Sequence, residues 1–310
     1  MITPTRTQVQ VLKSLQNQSV TVTSMLATAT RHQQQTGQRP PQSWYEDFHS
    51  RAILREELTN VALAGGVPRT WIDHVRERGA RAVHWNPDLY LRTPEPLNWD
   101  EILGGLDAQV QRLRAWTALA AAYGPIAARA EDGASAAFDR NLRILRARTA
   151  GVTNLLGLNT EQGQQLWGTE KDWVAVGVAI VDGVPIEGLA QRWRQAAHND
   201  TRAYALQATA LAEAGIAIDD AVALPSHEEL WPPISAALTP PQPLFQSPVA
   251  PGPEIETAIG AASLPYGVDV ETVIEAPTFS DAPCNDDLWT SDPSPTGVHT
   301  TLSFWQEIEL

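Results

Sequence analysis

LTNVALAGGVPRTWIDHVRE, residues Leu58 to Glu77, reads as two short helical patterns that meet at Gly65-Gly66-Val67-Pro68. A tight turn between helices needs a residue free to take positive φ, and Gly66 supplies it without a Cβ clash. Ala62, four residues earlier, is small enough for a second helix to cross it. Val67 is placed to plug the gap between the helices, and Pro68 fits a first helical turn, where an N–H has no intrahelical partner. Ile72 and Val75 lie three apart and so share one face of the second helix.

With Val61 added, the spacing Val61-Ala62-x3-Gly66-Val67-x4-Ile72-x2-Val75 resembles the helix-turn-helix consensus along this one stretch. The resemblance implies that the second helix is a recognition helix, with Arg69, Thr70, Asp73, His74, Arg76 and Glu77 turned away from the core stripe. Arg69 and Thr70 stand at its N-terminal end, the end that meets base edges in this docking geometry. Arg76, Arg78 and Arg81 suit phosphate contacts, and His74 joins the DNA-facing set. Asp73 and Glu77 interrupt the positive face, and the same glycine turn also serves ordinary helical hairpins, so a purely structural hairpin is the competing reading. A partial copy follows at Val178-Ala179-x3-Gly183-Val184-Pro185-x3-Leu189, but Arg192 stands where Val75 would match. It marks either a duplicated unit or a second use of Gly-Val-Pro to end one helix and begin another.

Around this stretch the chain reads as mainly α: a multi-helix body followed by an extended, acidic, Pro-rich tail. Its 310 residues suffice for a sizeable core. The net charge of −14 is unevenly placed. From Ala197 onward 17 acidic residues face one basic residue, Arg202, whereas the first 196 residues carry 21 basic and 19 acidic ones. A body near +2 permits phosphate binding through a local patch, and the acidic end opposes it. Cys284 is the only cysteine, which excludes an intramolecular disulfide, points to a reducing compartment and, with no secretory pattern at the start, gives a cytoplasmic expectation. No apolar run approaches membrane-spanning length, so no membrane partner is expected.

In chain order, residues 1–40 form an N-terminal helical arm: Leu12, Leu15, Val22 and Leu26 predict one long helix, or two broken near Ser19, ending at Gly37. It is read as packed on its own domain in preference to a coiled-coil arm for homo-oligomerisation. Residues 41–97 form the helix-turn-helix-like unit, opened by a Ser43/Glu46 capping box, with a short strand, wing or helical continuation over 80–85. Residues 98–224 form a helical domain. Its first amphipathic helix spans Trp99 to Tyr123 and is closed by Gly124-Pro125, and a second spans Ala134 to Leu156. Thr169 with Asp172, and Asp200, are read as further helix starts.

Residues 225–310 are the tail, since 13 of the 23 prolines fall between Pro232 and Pro295 and proline excludes long helices and central strands. Trp289, Phe304 and Trp305 are its candidate anchors for a protein partner or for the chain's own body. No phosphate loop, nucleophile elbow or zinc pattern occurs. Asp281, Cys284, Asp286, Asp287 and His299 are set aside as a metal set because a polar tail would have to order around the ion. The expectation is a non-enzymatic protein without cofactor that binds double-stranded DNA. The alternative is a structural or assembly protein whose tail threads onto neighbouring subunits.

Overall fold

The structure is a computed structural model that describes residues 3–130 and 132–238; among them the regular structure is entirely helical. Ten helices follow in order: α1 Arg6–Thr36, α2 Gln42–Ala64, α3 Arg69–Ala80, α4 Trp99–Ala130, α5 Asp132–Leu156, α6 Thr160–Trp167, α7 Glu170–Val181, α8 Ile186–His198, α9 Arg202–Glu213 and α10 His227–Leu238. The expected class is thus observed for the body. The tail anchors Trp289, Phe304 and Trp305, and the set around Cys284, lie outside the described residues.

α5 is the helix the others share. It packs against α1, α2 and α9, and also against α4 and α8, so packing runs across the expected divisions at 40/41 and 97/98. Phe138, Leu145, Thr149, Val152 and Thr153 are fully buried. A helix enclosed this way must satisfy its polar side chains internally. Thr149 donates to the Leu145 carbonyl and Thr153 to that of Thr149, both at 2.8 Å. Asn141 donates to the carbonyls of Ala196 (2.9 Å), Ala197 (3.0 Å) and Asn199 (3.0 Å), closing the C-terminus of α8, and accepts from the Thr201 hydroxyl at 2.8 Å. At the other end Asn154 donates to Ala217 and Asp220, and Arg146 to Pro225. Phe138 stacks on Trp193 of α8 with ring centroids 3.6 Å apart.

α1 is one unbroken helix, capped by Thr5 and Gln8 and ended by Gly37 at φ 71°. Its buried residues run from Val11 to Val22, against α2 and α3. The approach to α3 is close at Gly79, where an added Cβ would stand 2.5 Å from both the Gln16 carbonyl oxygen and the Ser19 Cβ.

Five expectations are corrected. α2 begins at Gln42 after Pro41, with no side-chain cap, so Ser43 lies inside the first turn and forms no capping box with Glu46. Of residues 80–85, Ala80 closes α3 and 81–85 are neither strand nor continued helix: after the turn at Ala82 (φ 57°) the chain is irregular, and Gln16 donates to the Val83 carbonyl at 2.7 Å. α4 does not stop at Gly124-Pro125. Tyr123 and Ala127 are buried on either side of the proline and Tyr123 meets Trp193 edge-on, so packing outweighs the single bond that Pro125 forfeits. α9 has Thr201, not Asp200, at its N-cap, although Asp200 still accepts from the Arg202 backbone N–H at 3.0 Å.

The fifth correction concerns the tail boundary at 225. α10 is a twelve-residue helix containing Pro232 and Pro233, with Leu230 and Ile234 buried against α4 and α7. Its start is a capping box: Ser226 Oγ accepts from the Glu229 N–H at 3.1 Å, and the Glu229 carboxylate accepts from the Ser226 N–H at 2.9 Å.

Two expected outcomes follow from this packing. Gly79→Ala lowers stability by about 1–3 kcal/mol in urea unfolding because α1 must move, whereas Gly104→Ala, where a Cβ meets open space, stabilises by roughly 0.5–1 kcal/mol. Asn141→Asp costs at least about 2–3 kcal/mol, since a carboxylate has no proton for three carbonyls, and a wild-type unfolding midpoint would contradict its role as the cap of α8.

Candidate nucleic-acid interface

The turn between α2 and α3 has the local geometry its residues predict. Gly66 takes φ 70°, and Val61, Ala62, Val67, Ile72 and Val75 are all essentially fully buried. The turn is held from three directions. Gln8 of α1 donates to the Gly66 carbonyl at 3.3 Å, Gly65 packs on Leu155 of α5, and the Trp99 ring lies over Gly66. Trp71, beside the expected stripe, is also buried, and its indole N–H donates to the Arg92 carbonyl at 2.7 Å, tying down the connection to α4.

What covers α3 differs from a bare two-helix crossing. Its inner face, Trp71, Ile72, Val75 and Gly79, lies mainly against α1. The outer face carries Arg69, Thr70, Asp73 and Glu77, all exposed. Its charges largely cancel. Arg81 pairs with Glu77 one turn away. Arg76 is half-buried and held by Glu56 of α2 at 3.1 Å, with a longer contact to the Thr59 hydroxyl at 3.4 Å. Burial, and the neighbouring Arg76 guanidinium, hold Arg55 below its usual pKa, while Glu56 offsets this in part.

The six sequence-predicted DNA residues therefore separate. Arg69 and Thr70 stand exposed at the N-terminal end of α3, where Pro68 provides no side-chain cap. Arg81 is exposed but paired, and Arg76 is bound to α2. His74 and Arg78 are half-buried, with His74 Nε2 and Arg78 Nε enclosed and without a hydrogen-bond partner.

The partial copy shares its turn and the burial of Leu189, which matches Ile72. Gly183 takes φ 70° and Pro185 opens α8, but Ala179 and Gly183 are exposed and Val184 is half-buried. In α7 the buried positions are Trp173, Gly177 and Val181, so the register is displaced from that of α2. Among the described residues no group of three or more His, Cys, Asp or Glu is placed to hold a metal ion, and no single helix is long and apolar enough to cross a membrane. Compared with protein-family models, curated proteins and solved structures, the chain finds no match.

If Arg76 serves α2 in the way this geometry indicates, a double-mutant cycle of Arg76→Ala and Glu56→Ala gives a coupling of about 0.5–1 kcal/mol, the range for a partly exposed pair. A coupling of zero in thermal unfolding would mean that Arg76 is available to an outside partner.

Proposed function

We propose that the α2–α3 hairpin is a DNA-binding unit that presents the N-terminal end of α3 to the duplex, with Arg69 and Thr70 as its contacts. The observation that supports this most is the division within the motif. The five interior positions bury together, while the two residues at the docking end stay exposed and outside any ion pair with the body. An uncapped helix N-terminus beside a free guanidinium is also suited to a phosphate oxygen. The phosphate contribution of Arg76 and Arg81 is reduced by their carboxylate partners, so the unit is a weak, salt-sensitive binder. Residues 239–310, with 11 acidic and no basic residues, oppose the same phosphates and compete for the same cations.

A second reading, an assembly subunit, draws on a different observation. Tyr90, 69% exposed on the connection between α3 and α4, and Trp99, 50% exposed at the first position of α4, are aromatics of a size common among interface anchors. In that reading the near-neutral face of α3 is a protein contact and the segment carrying Trp289, Phe304 and Trp305 reaches a neighbouring subunit.

Fluorescence anisotropy with labelled duplex separates the two. Under the DNA reading, the full chain binds at low salt and loses affinity as salt rises. A chain ending after Leu238 binds more tightly, and Arg69→Ala weakens binding several-fold more than Arg76→Ala. Absence of binding by either chain at low salt, together with a sedimentation coefficient that climbs with concentration and falls when Trp99→Ser is introduced, overturns the DNA reading in favour of assembly.

A further inference from the structure

Behind the α2–α3 turn a cavity of about 420 Å³ opens between the C-terminal end of α2, the first two turns of α4 and the middle of α5. Most of its wall is apolar, through Leu63, Val67, Leu97, Ile102, Leu106 and Val152. Two cations, Arg69 and Arg148, also line it, against one carboxylate, Glu101, which already accepts from Asn98 at 3.2 Å. The volume lies in the range of small-molecule sites, and mostly apolar walls with a few polar groups are the usual composition of such sites.

Arg148 is the unusual member. It is an arginine on the buried spine, only 5% exposed, and no carboxylate lies within ion-pair distance of it among the described residues. Its Nε donates to Gln207 at 2.9 Å and its guanidinium lies over the Tyr204 ring at 5.3 Å, yet Nη1 is enclosed without a hydrogen-bond partner. Burial pushes its pKa down to about 10, opposed in part by Tyr204 and Glu57. An arginine on an enclosed helix without a direct carboxylate partner is a costly arrangement, and an anion held at this cavity lowers that cost.

We infer that this cavity binds a small amphipathic monocarboxylate, its apolar body against the α2, α4 and α5 walls and its carboxylate toward Arg148. A carboxylate supplies the direct ion pair that Arg148 lacks, since Glu57 reaches it only through Gln207, and accepts hydrogen bonds from a planar guanidinium. A cation is disfavoured by Arg69 and Arg148 together, and a fully polar anion leaves the six apolar side chains wet. The inference does not depend on DNA binding, although Val67 and Arg69 belong both to this wall and to the turn.

The test uses the full chain and three probes: decanoate, decanol with the same body and no charge, and acetate with the charge and no body. Trp99, whose ring lies over Gly66 beside the cavity, is the fluorescence reporter, and isothermal titration gives the affinity. Two variants address the site. Gly105→Trp sets a large side chain at an exposed lining position where the Cβ itself meets open space, to obstruct the cavity. Arg148→Met keeps the apolar stem and removes the buried charge, at the cost of the hydrogen bond to Gln207. The expected result is decanoate binding at least tenfold tighter than decanol or acetate, lost at least tenfold in Gly105→Trp and reduced to the decanol level in Arg148→Met. Equal binding of decanoate and decanol removes the role of Arg148, and undiminished decanoate binding by Gly105→Trp places the ligand elsewhere; either result overturns the proposal. Should Arg148→Met fail to fold, the Gly105→Trp titration and the three-probe comparison decide alone.

Discussion

The enclosure of α5 is the constraint on which the other helices depend. The buried face of a helix packed by α1, α2, α4, α8 and α9 has no solvent for its polar groups, so most of them are met from within the chain. Threonines turn their hydroxyls back onto carbonyls of their own helix. Asparagines and an arginine reach out to carbonyls at the end of α8 and along the connection from α9 to α10. Those polar grips give α5 its direction as well as its stability. Apolar packing tolerates sliding by a fraction of a turn, whereas three carbonyls converging on one amide do not.

α5 also explains why the α2–α3 turn is rigid. Gly65 sits on Leu155, the Thr7 hydroxyl at the start of α1 donates to the Leu155 carbonyl at 3.2 Å, and Gln8 reaches the Gly66 carbonyl. The motif is therefore a surface feature of the helical body, its turn set between α1 and the end of the spine. That placement suits an interface of any kind, because the loop presenting Arg69 and Thr70 does not have to be ordered on contact.

Helix identity was legible wherever amphipathic spacing and local caps agreed. The α2 stripe, the Thr169/Asp172 start of α7 and the glycines ending α1 and α9 all carry signals within one helical turn in sequence. Two of the misreadings share one cause. Proline was weighed as a local breaker in Gly124-Pro125 and in Trp231-Pro232-Pro233, but burial of Tyr123 and Ala127 in one case and of Leu230 and Ile234 in the other outweighs one missing bond. The Ser226-x-x-Glu229 box is a local start signal that stands in the sequence ahead of the prolines. At the candidate site, the stripe could be read but the partners of Arg76 and the covering of α3 by α1 could not, since both depend on contacts between segments far apart in sequence. The burial of Arg148 was likewise hidden, because nothing local distinguishes a buried arginine from a solvated one.

α1 is a helix of two unlike halves. At 31 residues it is roughly 46 Å long. Its buried positions cease at Val22, and from His32 to Thr36 every residue is exposed. A free peptide of that distal length is at the margin of helicity, because the first turn is costly to nucleate. Here the docked half supplies the nucleus and the outer half only propagates it. The order of the outer turns is thus borrowed from the Gly79 crossing some 15 Å or more away along the rod, and amide exchange should slow turn by turn from the free end toward that crossing.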